Sequence, residues 1–299
     1  MKRGWRLVIG VSVLRAGEGV KRLCVAVKPG SAEALSVAKR IAEASTELGL
    51  TCVIDRESAG EVPGLTCLPL EESRADVLVS VGGDGTLIYT IHRARALKAP
   101  VLGVSVSESY GYLNEVEGGE VAEALAALAE GRFAVEEVSF VECYARGSRH
   151  LAVNEVMVVS EAPHRAVALE VRIEGEVVLR GKMDGVLVAT ALGSTAYSLS
   201  AGGPILHPEV DALVLTPICP VRQFARPLVV PSGHRVEVRV VGGRALVAGD
   251  SFEFGRLGVG ESVLIHRSSE RFALVRLRGE GYYSKLSRYL RLSEGGLPG

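Results

Sequence analysis

Residues 79–88 read Val-Ser-Val-Gly-Gly-Asp-Gly-Thr-Leu-Ile, three glycines around one carboxylate directly after an apolar run. Glycine lets backbone N–H groups come close to a phosphate, and a helix starting behind the loop adds partial positive charge. The loop Gly82–Gly85 is therefore a candidate for holding phosphate. Asp84 is costly beside phosphate unless it binds a cation or takes a proton, which points to acid–base or metal chemistry next to the phosphate site. The loop is no Walker A sequence, for it lacks the closing Gly-Lys-Ser/Thr. A plain strand-to-helix turn capped by Asp84 explains the same residues without any ligand.

Two further stretches carry chemistry. Asn154-Glu155 interrupts the apolar run LAVNEVMVV, and burying such a pair without partners would cost several kcal/mol. The partners are either other protein groups or a hydroxylated ligand. Residues 184–204, DGVLVATALGSTAYSLSAGGP, run from a buried type of strand into a turn of small residues, hydroxyls and a tyrosine. Small side chains allow close approach to a flat ligand, and hydroxyls can bond ribose or phosphate. A helix starting at Thr195 with Ser194 as its N-cap is the ligand-free alternative.

The elements that position these residues follow from periodicity. From Arg22 the pattern is a strand (LCVAV), a helix over about Ala32–Leu48 with Ser31 as a possible N-cap, and a short strand (TCVI). The strand Asp76–Val81, the glycine loop, a helix to about Ala96 and the strand VLGV follow. Strands alternating with helices predict a doubly wound parallel sheet in an N-terminal α/β domain, residues 1–132. After a helix near Val121–Ala129 the texture changes to short alternating runs, which predicts a mostly β, sandwich-like domain over 133–281. Tyr282–Leu292 reads as a terminal helix or strand, with 282–299 packing back on the first domain.

Composition narrows the function classes. A formal net charge of −1 over 299 residues gives no argument for a polyanion-binding surface, so nucleic acid is not expected as a partner. No apolar run approaches the length of a membrane span. The 5 cysteines form no CxxC pair, which suits small thiols in a reducing, cytoplasmic setting and no zinc site. The start, with a basic head and an apolar run from Leu7 to Leu14, has no small-x-small cleavage site close behind it, and an extra N-terminal strand is expected there. Asparagine occurs only at 114 and 154 and glutamine only at 223, a depletion that suggests a thermophilic, prokaryotic source.

GGDGT at 82–86, Asn-Glu at 154–155, DGVLVATALGSTAYSLSAGGPI at 184–205 and TPICPVRQFARPLVV at 216–230, in this order, resemble the NAD kinase family. The resemblance begins near Leu23 and leaves residues 1–20 outside it. It implies phosphoryl transfer from ATP (or polyphosphate) to the adenosine ribose 2′-hydroxyl of NAD, giving NADP. Asp84 is similar to the family's general base or organiser of the reacting hydroxyl. Gly82, Gly83, Gly85 and Thr86 would hold the nucleotide triphosphate with Mg²⁺. Asn154 and Glu155 match a pair that binds ribose hydroxyls, Asp184 an aspartate near the nicotinamide, and Thr195, Ala196, Tyr197 and Ser200 the dinucleotide pocket. Tyr112 takes the place of an aromatic near the adenine. The resemblance also implies a homodimer or homotetramer.

The chain departs from the family pattern at several places. Gly103-Val104-Ser105-Val106-Ser107 replaces G-x-N-x-G, Ala191-Leu192 replaces Pro-Thr or Pro-Ser, and Asp250-Ser251 stands where Asp-Gly is usual. Each alters a pocket edge and leaves the glycine loop untouched. A lipid or polyol kinase with a GGDGT loop would need an apolar acceptor tunnel, whereas 184–205 is rich in hydroxyls and glycines. A catalytically silent NAD-binding regulator would have little need of Asp84.

Overall fold

The computed structural model describes residues 19–107, 111–221, 225–277 and 282–294. Residues 1–18, where the extra strand is expected, lie outside these, as do Tyr110 and 222–224 of the Pro-rich segment. The chain divides into two units, one drawing on the sequence up to Val138 and again from Phe272, the other on Ser139–Arg271.

The first unit opens with β1 (Arg22–Val27), α1 (Ala32–Glu47), β2 (Thr51–Asp55), the single turn α2 (Arg56–Ala59) and β3 (Cys67–Leu68). It continues with β4 (Val77–Val81), α3 (Asp84–Ala94), β5 (Val101–Ser105), β6 (Val116–Glu117) and α4 (Val121–Ala129). Ser31 caps α1, its hydroxyl accepting the Ala34 N–H at 3.1 Å. All strands pair in parallel, in the order β3-β2-β1-β4-β5, with β6 added beside β5.

Alternation along β4 explains why both faces of this sheet are covered. Val77, Val79 and Val81 join Val25, Val27 and Leu102 in a core closed by Val37, Ala38 and Ile41 of α1 and by Leu125 and Leu128 of α4. Ser80 points the other way and is hydrogen bonded to Thr90 of α3 at 3.1 Å. The strand order reverses between β1 and β4, so the carboxyl ends of these two strands flank the crevice where doubly wound sheets bind ligands. Gly82 and Gly83 sit there.

The second unit is antiparallel. Its strands are β7 (Ala134–Ala145), β8 (Ser148–Ala152), β9 (Glu155–Ser160), β10 (Val167–Ile173), β11 (Glu176–Met183) and β12 (Gly185–Ala189). After α5 (Tyr197–Ser200) come β13 (Ala212–Ile218), β14 (Leu228–Pro231), β15 (Val236–Gly242), β16 (Ala245–Gly249), β17 (Phe252–Leu257) and β18 (Ser262–Arg276). The two division points of the chain fall inside β7 and β18, which is why a change of sequence texture does not mark them.

One sheet runs β11-β10-β15-β18 and the other β14-β13-β12-β9-β16-β17. Val171, Val238 and Val263 of the first and Val156, Val188 and Val247 of the second share one core, the mark of a sandwich. Leu187 and Ala189 of β12 point to the opposite face and pack with Leu206 and Val214, so β12 is buried on both sides. This accounts for its unbroken apolar sequence. The terminal segment is the helix α6 (Tyr282–Glu294), which belongs to the first unit. Among the described residues no helix is long and apolar enough to cross a membrane.

Candidate active site

In the first unit the glycine loop turns directly into α3. Gly83 is the N-cap and makes no side-chain capping bond, so Asp84 is the first helical residue and not the cap. A Cβ on Gly82 would stand 2.4 Å from Thr86 Oγ1, so that position requires glycine, whereas Gly85 faces open space. The first turn of a helix leaves N–H groups without partners inside the helix; here the Thr86 and Leu87 N–H groups bond back to the Gly83 carbonyl, and the Gly82 N–H bonds the Val104 carbonyl. Lys28, exposed at the end of β1, is the adjacent cation.

The Asp84 carboxylate is turned onto the segment between β5 and β6. Oδ2 accepts the Tyr112 N–H at 2.7 Å, and Oδ1 accepts the Leu113 N–H at 2.9 Å and the Asn114 side-chain amide at 3.2 Å. Two glycines permit this approach. A Cβ on Gly111 would lie 2.4 Å from Asp84 Oδ1, and one on Gly103 would lie 2.5 Å from Asn114 Oδ1. Loss of hydration raises the Asp84 pKa above the ordinary carboxylate value, against the lowering effect of the Tyr112 and Leu113 N–H groups. A carboxylate has about four lone-pair positions, so these three bonds leave one for a further donor.

Tyr112 is packed inside the first unit. Its ring is buried against Tyr289 of α6 with centroids 5.4 Å apart, and its backbone N–H is the group facing Asp84. Burial pushes its hydroxyl well above the usual range. Of the departures noted above, Ser107 bonds Glu33 at the start of α1 through its N–H and hydroxyl, at 2.9 and 2.7 Å. Ser105 donates to the Val116 carbonyl at 3.3 Å.

In the second unit, Asn154 and Glu155 do not lie within one strand as the pattern suggests. The run breaks at Val153–Asn154, between β8 and β9, because those two N–H groups leave the ladder for the Asp250 carboxylate. The 184–205 segment closes over the break. Thr190 accepts from Gly193 N–H at 2.9 Å and donates to the Val153 carbonyl at 3.0 Å, and its own N–H bonds the Asn154 carbonyl at 2.9 Å. A Cβ on Gly193 would stand 2.1 Å from the Asn154 carbonyl oxygen. Glycine at 193 is thus required by the contact with Asn154.

This architecture leaves acceptors exposed to nothing. Asn154 Oδ1 and Glu155 Oε2 are buried and have no hydrogen-bond partner in the protein. Burial, with Asp250 nearby, pushes the Glu155 pKa up to about 8. The rest of the expected pocket is mixed. The turn 192–195 is 3₁₀ and α5 begins at Tyr197, so Ser194 caps no helix; it accepts the Leu206 N–H and donates to the Ala191 carbonyl. Thr195 is buried, its hydroxyl donating to the Leu192 carbonyl at 3.0 Å. Ala196 is half-buried, while Tyr197, Ser200 and Asp184 are exposed.

Comparison with known proteins identifies the constellation. Residues 23–133 match the ATP-NAD kinase N-terminal domain, and residues 153–277 match the ATP-NAD kinase C-terminal domain. The chain belongs to the NAD kinase family. It is a kinase, an enzyme of the phosphotransferase class. The NAD kinase of Methanothermobacter thermautotrophicus is 33% identical over 270 residues, 89% of this chain and 94% of that one. That of Thermococcus kodakarensis is 32% identical over 84% of this chain and 92% of its own length. Among solved structures, an NAD kinase from Archaeoglobus fulgidus in complex with ATP has a TM-score of 0.72 at 29% identity, covering 90% of this chain and 98% of that one. Yeast NADH kinase complexed with NADH shares the fold, with a TM-score of 0.81 over 94% of this chain and 91% of that one, at 20% identity.

Motif reading within the NAD kinase family leaves out Lys28, Asn114, Lys285 and the role of Asp250. Asn114 carries the one usable signal, for it is one of only two asparagines in the chain.

Proposed function

We propose that the protein is an NAD kinase that transfers a phosphoryl group from ATP to the adenosine ribose 2′-hydroxyl of NAD, forming NADP. The observation carrying this reading is the pair of buried, unpartnered acceptors Asn154 Oδ1 and Glu155 Oε2. Two adjacent acceptors need two donors, and the vicinal hydroxyls of a ribose supply them. Leaving both unpaired costs about 1–3 kcal/mol each, which the ligand recovers on binding. The family resemblance supports Asp184, Thr195, Ala196, Tyr197 and Ser200 as further contacts to the dinucleotide, and the Tyr112 backbone N–H donates to Asp84.

The first unit carries the transfer chemistry. The N–H groups at the start of α3, with Gly82, Gly83, Gly85 and Thr86, receive the triphosphate, and Lys28 adds a positive charge. Asp84 takes the proton of the 2′-hydroxyl as that oxygen bonds the γ-phosphorus. The bond from the γ-phosphorus to the β–γ bridging oxygen breaks, and ADP leaves with the electron pair. Such a step asks the protein mainly for positioning and charge stabilisation.

The family resemblance supports Mg²⁺ carried with the nucleotide triphosphate. Both Asp84 oxygens already accept N–H groups, which leaves the triphosphate oxygens as the metal's main ligands. The cysteines are free thiols, in keeping with a reducing, cytoplasmic setting, and the family resemblance supports a homodimer or homotetramer.

The test is purified protein with NAD, Mg²⁺ and either ATP or polyphosphate, read by NADP formation. NADP from ATP supports the reading, NADP from polyphosphate alone reassigns the donor, and none with either ends it.

A further inference from the structure

Both family matches end before α6, the last at residue 277, yet α6 lies against the Asp84 segment within the first unit. Three of its side chains, Tyr282, Lys285 and Tyr289, recur at the spacing of one helical face. The Tyr289 ring packs on Tyr112, and the Tyr112 hydroxyl is hydrogen bonded to that of Tyr282. Lys285 Nζ stands 5.5 Å from the centroid of the Tyr112 ring and 3.7 Å from Glu115 Oε2. The residue whose N–H binds Asp84 is thus covered by a cation from the end of the chain.

Carboxylates outnumber cations around this lysine. Glu115 and Glu136 both pair with Arg276, at 3.1 and 2.7 Å, so one guanidinium serves two carboxylates. Asp84 is a third carboxylate, and its charge and that of Lys285 act on each other. Tyr112, Tyr282 and Tyr289, which also pack here, are neutral at physiological pH, each with its hydroxyl pKa raised by burial. Burying a lysine is expensive, and this one is only 19% exposed. A lysine kept there purely to pack would be replaceable by a leucine or methionine of similar volume.

We infer that α6 is a working part of the phosphoryl-transfer site and that Lys285 is a positioning residue for Asp84, balancing its charge so that it stays a carboxylate able to accept the hydroxyl proton. This rests on the reading of Asp84 as the base. Burial, with Arg276 close by, lowers the Lys285 pKa to about 8, so the device weakens once the lysine loses its proton.

The ionisation midpoint of Asp84, followed by carbon-13 NMR of carboxyl-labelled aspartate and assigned with Asp84→Asn, tests this directly in the full chain. Lys285→Met raises the midpoint by about one unit, equivalent to a tenfold change in the protonation equilibrium. In turnover assays the same variant moves the acid limb of kcat upward by the same amount, so kcat falls about tenfold at pH values below the limb and is nearly unchanged on the plateau above it, with the NAD KM within about twofold. Lys285→Arg keeps the acid limb of kcat at its wild-type position, because a guanidinium supplies the same positive charge. An Asp84 midpoint unchanged in the methionine variant overturns the inference. If that variant does not fold, an arginine variant whose acid limb moves upward although its positive charge is kept does so instead. Wild-type protein that makes no NADP ends the functional reading, while the carbon-13 titration still decides the role of Lys285.

Discussion

Asp250 holds the backbone of Asn154 by its side chain: Oδ1 accepts the Asn154 N–H at 2.8 Å, and Oδ2 accepts the neighbouring Val153 N–H. The carboxylate therefore replaces a strand partner at the point where β8 ends and β9 begins. Its position in turn comes from the tight turn joining β16 and β17, where Asp250 and Ser251 both have positive φ, 49° and 71°. Asn154 and Glu155 are aimed by a residue ninety-six positions away.

Asp250→Ala removes the acceptor for two N–H groups, one of them fully buried. The expected result is a loss of about 2 kcal/mol or more in stability and at least a tenfold weaker NAD affinity, with ATP affinity within about twofold of wild type. Calorimetric titration of each ligand checks this. Equal weakening of both would mean that the variant is globally loosened.

Ser251→Gly should stabilise the protein. A non-glycine residue at φ 71° carries left-handed strain of roughly 1–2 kcal/mol, against which glycine's extra freedom in the unfolded chain costs about 0.5–1. The net gain of about 0.5–1 kcal/mol corresponds to a melting temperature about 1–4 °C higher. The family's usual glycine here is thus explained by turn geometry, since such two-residue hairpins need positive φ at both positions. A lower melting temperature would show that the Ser251 side chain makes a compensating contact.

Much of this was legible in the sequence, for local reasons. The period-2 alternation of the β-rich half and the helical spacing of 32–47 reflect burial that each residue undergoes on its own element. The glycine loop showed because three glycines and an acid have few other reasons to follow a buried strand. What stayed hidden depends on partners far along the chain. Asp250 was read only as part of an altered pocket edge, and Lys285 was not singled out within the terminal helix or strand. The break at Val153–Asn154 could not be read because its cause lies at 250. Tyr112 matched the family's aromatic near the adenine, but its packing on Tyr289 of α6 could not be read locally, because that partner lies far along the chain.

The Glu155 carboxyl gives NAD binding a pH dependence of definite sign. Burial and Asp250 hold its pKa at about 8, so at pH 7 the ligand-free protein carries it mostly protonated. A ribose hydroxyl donating to it favours the carboxylate, so binding lowers the pKa and releases a proton. Affinity should therefore rise with pH up to about 8 and level off above it. Titrations at pH 7 in two buffers of different ionisation enthalpy measure the proton release directly. Glu155→Gln abolishes that release and weakens NAD binding by about 1.5–3 kcal/mol while sparing ATP. Uptake instead of release would mean that Glu155 binds as the neutral acid.

Native mass by light scattering should exceed that of one 31.6 kDa chain by a factor of two or four. A monomer of constant mass over a wide concentration range, in a fully active sample, would sink this expectation.

Asp84 separates catalysis from structure most sharply. As a helix cap it would be replaceable by asparagine, which caps equally well, and turnover would survive. Here Gly83 is the N-cap, and the Asp84 carboxylate faces three donors: the N–H groups of Tyr112 and Leu113 and the amide of Asn114. An asparagine at 84 must turn its own NH₂ toward one of those donors, so Asp84→Asn should cost about 1–3 kcal/mol in stability as well as the base. Asp84→Ala loses all three bonds and should be less stable still. Because general-base contributions are about 10²–10⁴-fold, kcat should fall by that order in both variants. Affinity for the triphosphate should hold or tighten, since a negative charge next to it is gone. Measuring kcat, nucleotide affinity and melting temperature together resolves the cases. A purely structural aspartate gives lower melting temperatures with kcat intact wherever the variant is folded. An asparagine variant with near-wild-type turnover would leave Asp84 as a clamp for the segment 111–114 and require another base for the reaction.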